Sequence, residues 1–594
     1  MSKNAGCGGG GAKAWTAAQR VYTSFDVATE SLYRWAKQED VAGMNAEQYD
    51  VLVIGAGWSG LLACKYALEQ GLTVHVLERR ADLGGVWSYS EDPDVVTVMR
   101  STVTSSSATV TEAADFFMRP ESGNFLHHSQ IRAYLDAYAA HFGLRRHISF
   151  GCELRKVTRD RLWRASIGQR RISSRFLVIS TGVHQRPRPV PEELAGFTKS
   201  VVHCGRIKAI EPEDYAAGEE VLVYGGGESA SDVVERLALT QAAVTWAIPN
   251  GQHFFRKSSI FRRPAPGAFG RMDGPLDEAS SRMIQYVTPF ARSKPGMRWL
   301  CNLGSTGSLL GYEGHGVPEW RSGIPFMHAF LNKNGHVVEH VHEGRVAAEG
   351  RVLGCDGDWV RFASGRTARF TQIIACCGYD YDVPFLPDEF RGKPVTQHYK
   401  LMFDTEEPSL LYIGFARPTV SSIPLMTELQ CGYAFQVLAG NKRLPDKAAM
   451  SAAAEADNRA RERYFHDRRR PDTLVDPFTY GYDLAELAGT KPSYLRLLAT
   501  DPRVWWKTFF SPLSAAHFLL NDEGKREQAV AQIWKRQTWP WFVFPAVYLI
   551  ARVLCVDLMC DLLAQRRYWR QLGHGRLDPI AGERPHPDSM IARS

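Results

Sequence analysis

Two glycine runs have the residue types and spacing of nucleotide cradles. Gly55-Ala56-Gly57-Trp58-Ser59-Gly60 follows the apolar, β-branched run 49–54 and opens a helical pattern, and the acid Glu78 stands at the end of the next apolar run. The first glycine of G-x-G-x-x-G allows a tight turn, and the second lets backbone N–H groups approach a pyrophosphate. The third lets the helix pack closely on the strand, so that its N-terminus faces the anion. An acid about twenty residues on suits an unphosphorylated ribose 2′-hydroxyl, which either FAD or NAD would supply. Gly225-Gly226-Gly227-Glu228-Ser229-Ala230-Ser231-Asp232 repeats the arrangement after the run 221–224. Glu228 puts a negative charge near where a pyrophosphate would lie, and Ser231 is taken to stand where G-x-x-G variants keep a small residue. The same run half-matches the nucleophile elbow G-x-S-x-G, but position 231 is Ser and no Asp or His partner suggests itself.

Two other patterns read as bystanders. His336-Val337-Val338-Glu339-His340 spells H-x-x-E-H, which binds zinc only on a helix. Bounded by glycines and rich in β-branched residues, it is expected to form a hairpin strand, and no metal is expected. None of the 11 cysteines lies in a C-x-x-C, which disfavours disulfide-reductase chemistry, and the thiols read as reduced in a cytosol-like compartment.

The elements that must position these loops set the fold class. At 594 residues the chain has room for about four domain-sized units, and 44% hydrophobic with 23% charged residues is ordinary for a chain with a sizeable core. A mean hydropathy of -0.26 is too polar for a many-spanning membrane protein. A net charge of +7 over this length, with no long basic run interleaved with aromatics, does not point to nucleic acid. Short apolar strands ending in glycine (49–55, 176–182, 221–225 and 371–378) alternate with helical stretches. The expected fold is therefore α/β: two doubly wound Rossmann-like dinucleotide-binding domains, one inserted in the other, plus a helical C-terminal extension.

Several stretches in order resemble the flavin-containing monooxygenases. Leu83-Gly84-Gly85-Val86-Trp87 after Glu78 looks like the family's ERxxxxGGxW segment, and the second glycine run is similar to its G-x-G-N-S-G-x-D, with Glu228 for Asn. Residues 100–117 align without gaps to a Ser/Thr-rich family segment. Residues 411–430 look like its closing strand and E-L-Q helix start, and 501–520 resemble the C-terminal part of the membrane-bound eukaryotic branch. The resemblance covers about residues 47–545. Of the family motif F-x-G-x-x-x-H-x-x-x-[YF], Phe197 and His203 are present, while Lys199 and Ile207 depart from it.

The resemblance implies FAD in the first unit, with Gly55, Ala56, Gly57, Trp58, Ser59, Gly60, Glu78, Val86, Trp87, Thr104, Ser105 and Ser106 around it. It implies NADPH in the second, with Gly225, Gly227, Ser229, Ala230, Ser231 and Asp232. Expected segments are an N-terminal extension at 1–46, the FAD-binding domain at 47–212 and 346–450, the NADP-binding domain at 213–345, and a helical region at 451–594. The implied reaction takes one oxygen atom from O2, through a C4a-hydroperoxyflavin, to nitrogen or sulfur of a small amine or sulfide. A Baeyer–Villiger or halide-oxidising enzyme is the near alternative, and a non-oxygenating FAD protein the alternative from another class. Ser105, aligned with the family's Asn beside the flavin, is the one catalytic candidate. A hydroxyl lacks the reach and the NH2 donors of an amide. A 2′-phosphate calls for a base after the second unit's second strand, where Arg256-Lys257 and Arg262-Arg263 come first.

Residues 539–551 are uncharged but shorter than the roughly 20 residues a spanning helix needs. Trp534, Trp539 and Trp541 beside Lys535, Arg536, Arg566 and Arg567 fit an interfacial segment over 534–563. The chain is accordingly expected on the cytoplasmic side, associated with the endoplasmic-reticulum membrane.

Overall fold

The computed structural model describes residues 46–119, 123–254, 257, 275, 277, 312–313, 317–321, 330–465 and 473–536. Expectations for residues 1–45, for most of residues 255–329, for residues 537–563 of the interfacial segment and for the C-terminal region beyond it lie outside the described residues.

The first unit begins with β1 (Ala46–Ile54), α1 (Trp58–Glu69) and β2 (Val74–Leu77), followed by helix α2 (His128–His141). Strands β3 (Ile148–Ser149), β4 (Val157–Arg159), β5 (Trp163–Ile167) and β6 (Arg170–Ile179) complete the sheet in the order β3-β2-β1-β6-β5-β4. Strands β1, β2 and β3 pair in parallel, β4 to β6 form an antiparallel excursion, and a strand at Leu410–Tyr412 returns to lie parallel to β6. Val51, Leu52 and Val53 are all fully buried. This is why the run shows no apolar–polar alternation, since a parallel strand is covered on both faces.

The chain then crosses into a second sheet. Strand β7 (Arg186–Pro187) is the crossing, followed by β8 (Ser200–His203), β9 (Glu220–Tyr224), α3 (Glu228–Leu237), β10 (Ala243–Ala247), β11 (Val346–Glu349) and β12 (Gln372–Ala375). Its order is β11-β10-β9-β12-β8, with every pairing parallel. Strand β13 (Tyr379–Asp380) carries the chain back, antiparallel to β7.

This topology moves the expected boundaries. Residues 200–203, 346–349 and 372–375 belong to the second sheet, because β8 and β12 lie beyond β9 on the side away from β10 and β11 lies beyond β10. Boundaries at 213 and 345 would cut off β8, β11 and β12, whose central residues Ile373 and Ile374 are fully buried. The H-x-x-E-H stretch is helical, not a hairpin: a 3-10 turn at Gly335–Val338 runs into a helix at Glu339–His342. Val337 and Val338 are fully buried in the second core, so packing overrides the β preference of valine. Among the described residues no group of three or more His, Cys, Asp or Glu is placed to hold a metal.

Helix α4 (Ile423–Leu438) packs on α1 and on a helix at Pro477–Ala488, and further helices follow at Tyr494–Thr500, Pro502–Phe510 and Arg526–Lys535. Arg536, expected among surface cations, is instead buried against Glu112 and donates to the Thr109 carbonyl at 2.8 Å. Among the described residues no helix is long and apolar enough to cross a membrane.

Candidate functional site

The first glycine loop is closed by contact. Gly55 has φ +103°, and a Cβ there would meet the Ser180 carbonyl oxygen at 2.7 Å. A Cβ on Gly60 would lie 1.8 Å from the Gly55 carbonyl oxygen, so the helix approaches its strand only because that side chain is missing. Gly57 caps α1 with no side-chain bond, leaving the first-turn N–H groups directed out of the helix end. Glu78, buried just beyond β2, accepts the Ala56 N–H at 2.7 Å and the Arg80 N–H at 2.8 Å, one on each oxygen. Each oxygen keeps a further lone pair that a ribose hydroxyl can use.

The Gly84-Gly85 turn closes the loop from above. Gly84 N–H donates to the Ala56 carbonyl at 2.9 Å, and a Cβ on Gly57 would meet Gly85 Cα at 3.5 Å. Arg80 fixes the turn by donating to the Gly85 and Ser88 carbonyls at 2.8 and 2.7 Å. Val86 and Trp87 follow in a short 3-10 turn. From the far side, Gly414 lies so near Ser59 that a Cβ would sit 2.0 Å from its hydroxyl, and Gln430 of α4 accepts the Gly414 N–H at 2.9 Å.

The second loop has the same path and a polar setting. Gly225 has φ +128°, and a Cβ there would meet the Cys376 carbonyl oxygen at 2.4 Å. Gly227 caps α3, and among the described residues nothing lies within 4 Å of where its Cβ would be, which leaves a ligand room to approach. The third residue of α3, matching Gly60 of α1, is Ala230, so the small-residue place falls on Ala230 and not on Ser231. Ser231 and Asp232 are held from the loop 332–334. Asn332 donates to the Ser231 hydroxyl at 2.7 Å and to the Gly226 carbonyl at 3.1 Å, and Asn334 donates to Asp232 at 3.0 Å. Burial, together with the Glu228 charge, pushes the Asp232 carboxyl up to about 7. One Glu228 oxygen accepts the Lys333 N–H at 2.7 Å, and the other is buried without a hydrogen-bond partner among the described residues. Burial raises this carboxyl as well.

Between the loops lies the turn 104–107. Thr104 is buried, its N–H donating to the Leu126 carbonyl at 2.9 Å and its hydroxyl accepting the Leu126 N–H at 3.0 Å. Ser105 is half-buried beside it. Ser106 donates to the Ser421 carbonyl at 2.9 Å, and Ser421 itself has φ +80°. The Lys333 ammonium donates to the Ser106 hydroxyl at 3.0 Å and to the Ser421 carbonyl at 2.9 Å, tying the second unit to both elements of the first. Burial pulls the Lys333 ammonium down, opposed by the carboxylates of Asp277 and Glu228. Asp277 accepts the Ser107 N–H at 2.7 Å, and its second oxygen is also unpartnered among the described residues.

The structure thus brings both glycine loops, the 84–87 turn and the 104–106 turn into one region. Sequence reasoning missed Arg80, Asn332, Lys333, Asn334 and Asp277. The polar string 332–335 reads as an ordinary turn, and only the fold sets it against α3 and Ser106. His203 is a clasp at the end of β8: its Nε2 lies 2.9 Å from the Gly378 carbonyl while Nδ1 lies 3.0 Å from the Gly205 N–H. Of the basic cluster expected to meet a 2′-phosphate, only Lys257 lies among the described residues.

The chain matches the family model described as flavin-binding monooxygenase-like over residues 48–262 and 330–540. It is 27% identical over 495 residues to flavin-containing monooxygenase 5 of Cavia porcellus, covering 80% of this chain and 89% of that protein. It is also 27% identical over 505 residues to dimethylaniline monooxygenase (N-oxide-forming) 2 of Rattus norvegicus, covering 81% of this chain and 90% of that one. Among solved structures, S-allyl-L-cysteine S-oxygenase from Allium sativum superposes with a TM-score of 0.54 at 18% identity, covering 82% of this chain and 98% of that one. An oxidized steroid monooxygenase bound to NADP gives 0.52 at 17%, covering 74% and 98%.

Proposed function

Because the chain belongs to the flavin-binding monooxygenase-like family, and is thus an FAD- and NADPH-dependent monooxygenase, we propose that it transfers oxygen to nitrogen or sulfur of small organic substrates. The observation that carries this reading is the juxtaposition of two nucleotide cradles across the 104–107 turn. When bound, the flavin takes electrons from NADPH and activates O2, so that substrate, O2, NADPH and a proton become oxygenated substrate, NADP+ and water.

The residues fit those groups. At the first loop, Gly55, Gly57 and Gly60 leave the helix N-terminus open to a pyrophosphate, and Glu78 is placed for the ribose. The 84–87 turn, with Trp87, covers the loop and helps keep water out of it. At the second, Gly227 and Ser229 stand at the end of α3, where the open backbone suits the coenzyme's phosphates, while Glu228 works against them by its charge. Ser105 replaces an amide with a hydroxyl that donates and accepts one bond at a time. Lys333 supplies a fixed cation beside Ser106, next to the residue aligned with the family's Asn. Little acid–base machinery is needed, so the chain's task is to position the reactants and exclude water.

Exposed Leu495, Trp506 and Trp534, at 83%, 56% and 48%, support a peripheral membrane contact for the C-terminal region. The experiment for the reaction is direct. The purified yellow protein, given NADPH in air, should consume it faster with methimazole or trimethylamine and form the oxygenated product in step. A colourless protein that does not take up FAD would overturn the reading. NADPH loss matched by hydrogen peroxide, with no product, would reduce it to an oxidase.

A further inference from the structure

Three cysteines stand where β8 and β12 end. His203 and Ala375 are partners in the parallel ladder, so the residues that follow them, Cys204 and Cys376, leave the sheet side by side in the second core. Neighbouring strands run about 4.8 Å apart, inside the roughly 4.4–6.8 Å between Cα atoms that a disulfide spans. Both cysteines are free. The Cys376 thiol bonds the Cys204 sulfur, and the Tyr379 hydroxyl and His203 Nδ1 lie 3.9 and 4.0 Å from that sulfur. The third thiol, Cys377, turns to the Arg188 and Pro189 carbonyls, at 3.6 and 3.5 Å.

The pair is asymmetric. With the Cys376 thiol, His203 and Tyr379 facing it, the Cys204 thiol is held well below its ordinary value, whereas burial pushes that of Cys376 well above. A thiolate beside a thiol is the arrangement of an attacking sulfur with a resolving partner. Both residues are buried, so an oxidant as small as hydrogen peroxide suits them. The pair is also joined to the second glycine loop. The Cys376 carbonyl is the group that a Cβ on Gly225 would meet at 2.4 Å, and the Cys376 Cβ would lie 3.2 Å away. The Cys376 N–H donates to the Tyr224 carbonyl at 2.7 Å, just ahead of that glycine. Tyr379, which also faces Cys204, bonds the Ser229 side chain. A change in the distance between the two sulfurs therefore reaches both Gly225 and Ser229.

We propose that hydrogen peroxide converts Cys204 and Cys376 into a reversible disulfide, and that this bond weakens NADPH binding at the second loop. The Cys204 sulfur attacks one peroxide oxygen and the O–O bond breaks. The hydroxide set free takes the proton that Cys204 gave up and leaves as water, and Cys204 is left as the sulfenic acid. The Cys376 sulfur then attacks the Cys204 sulfur, the S–O bond breaks, and the hydroxyl leaves with the Cys376 proton as a second water. Two thiols and one peroxide become one disulfide and two waters, with two electrons passing from sulfur to oxygen. A dithiol reductant reverses the change by exchange.

The test treats the holoenzyme with limiting hydrogen peroxide, maps its peptides without reduction, and follows NADPH consumption in air. The peptides holding Cys204 and Cys376 should be recovered linked. The KM for NADPH should rise about tenfold, within the usual range of coupling between two sites, with flavin content unmoved. Dithiothreitol should reverse both changes. Cys204→Ser and Cys376→Ser should each abolish the link and the rise, and Cys377→Ser should keep both. The mapping needs neither turnover nor a variant, so it stands even if a variant does not fold or the reaction proposed above fails. Separate oxidation of the two thiols, or a link that takes Cys377, would overturn the proposal. So would a link that leaves the KM unmoved, or a rise that survives in Cys204→Ser.

Discussion

From its third residue onward α1 is an apolar helix: Gly60 is followed by Leu61 and Leu62, both at 1% exposure. At the same places α3 carries Ala230, Ser231 and Asp232, and the last two are held by Asn332 and Asn334 rather than by a core. The backbone turns alike in both loops, with φ of +103° at Gly55 and +128° at Gly225. The difference teaches which contacts each loop depends on. The first is locked by van der Waals fit, with Gly84, Gly85 and Gly414 pressed against it. The second, among the described residues, is open above Gly227 and held from one side by hydrogen bonds and charge. A cofactor kept through many turnovers suits the first, and one that comes and goes suits the second.

The largest break in the comparison should come from Gly60→Ala. Its Cβ has only the Gly55 carbonyl to meet, so the variant should lose about 3 kcal/mol or more and purify without colour, as read by flavin absorbance per protein and by denaturant unfolding. Next is Asp232. Its carboxyl is raised in the fold from 3.8 to about 7, so the native state binds the extra proton. Stability is fully present below about pH 4 and is lost as the pH rises through 7. Asp232→Asn should remove that slope and gain about 2 kcal/mol at pH 8, seen as a Tm that no longer falls between pH 4 and 8. Glu228→Gln takes a charge from the open loop and should lower the KM for NADPH about tenfold, or ~1.4 kcal/mol, with flavin content unchanged. If flavin is lost instead, the assignment of the two loops is reversed. The smallest effect belongs to Ala230→Gly, which should cost about 1 kcal/mol of helix stability and leave the colour intact.

The parts of this arrangement written in short stretches were legible in the sequence. The glycine loops, Glu78 and the buried strands each follow from spacing within some thirty residues, and the fold class follows from their alternation. The second sheet's limits were not, because β12 pairs with β9 on one side and with β8 on the other, both distant from it in sequence, and no local pattern marks the pairing. The small-residue place was legible too: the sixth position counted from Gly225 is Ala230, and the capped helix start at Gly227 agrees with that count. The helix at 339–342 hid behind valines that suit a strand until a core claims them. Lys333 and Asp277 are isolated charges in polar text, and only the fold makes them neighbours of Ser106 and Ser107.

The chain passes from one sheet to the other at β7 and returns at β13, and these two passages are hydrogen-bonded side by side, Tyr379 against Pro187 and Asp380 against Arg186. A body tethered by one strand can swivel in any direction, whereas one hung on two joined strands swings like a door on a strap hinge. The second sheet should accordingly open and shut about a single axis along that strap, changing the gap between the loops while keeping them in register.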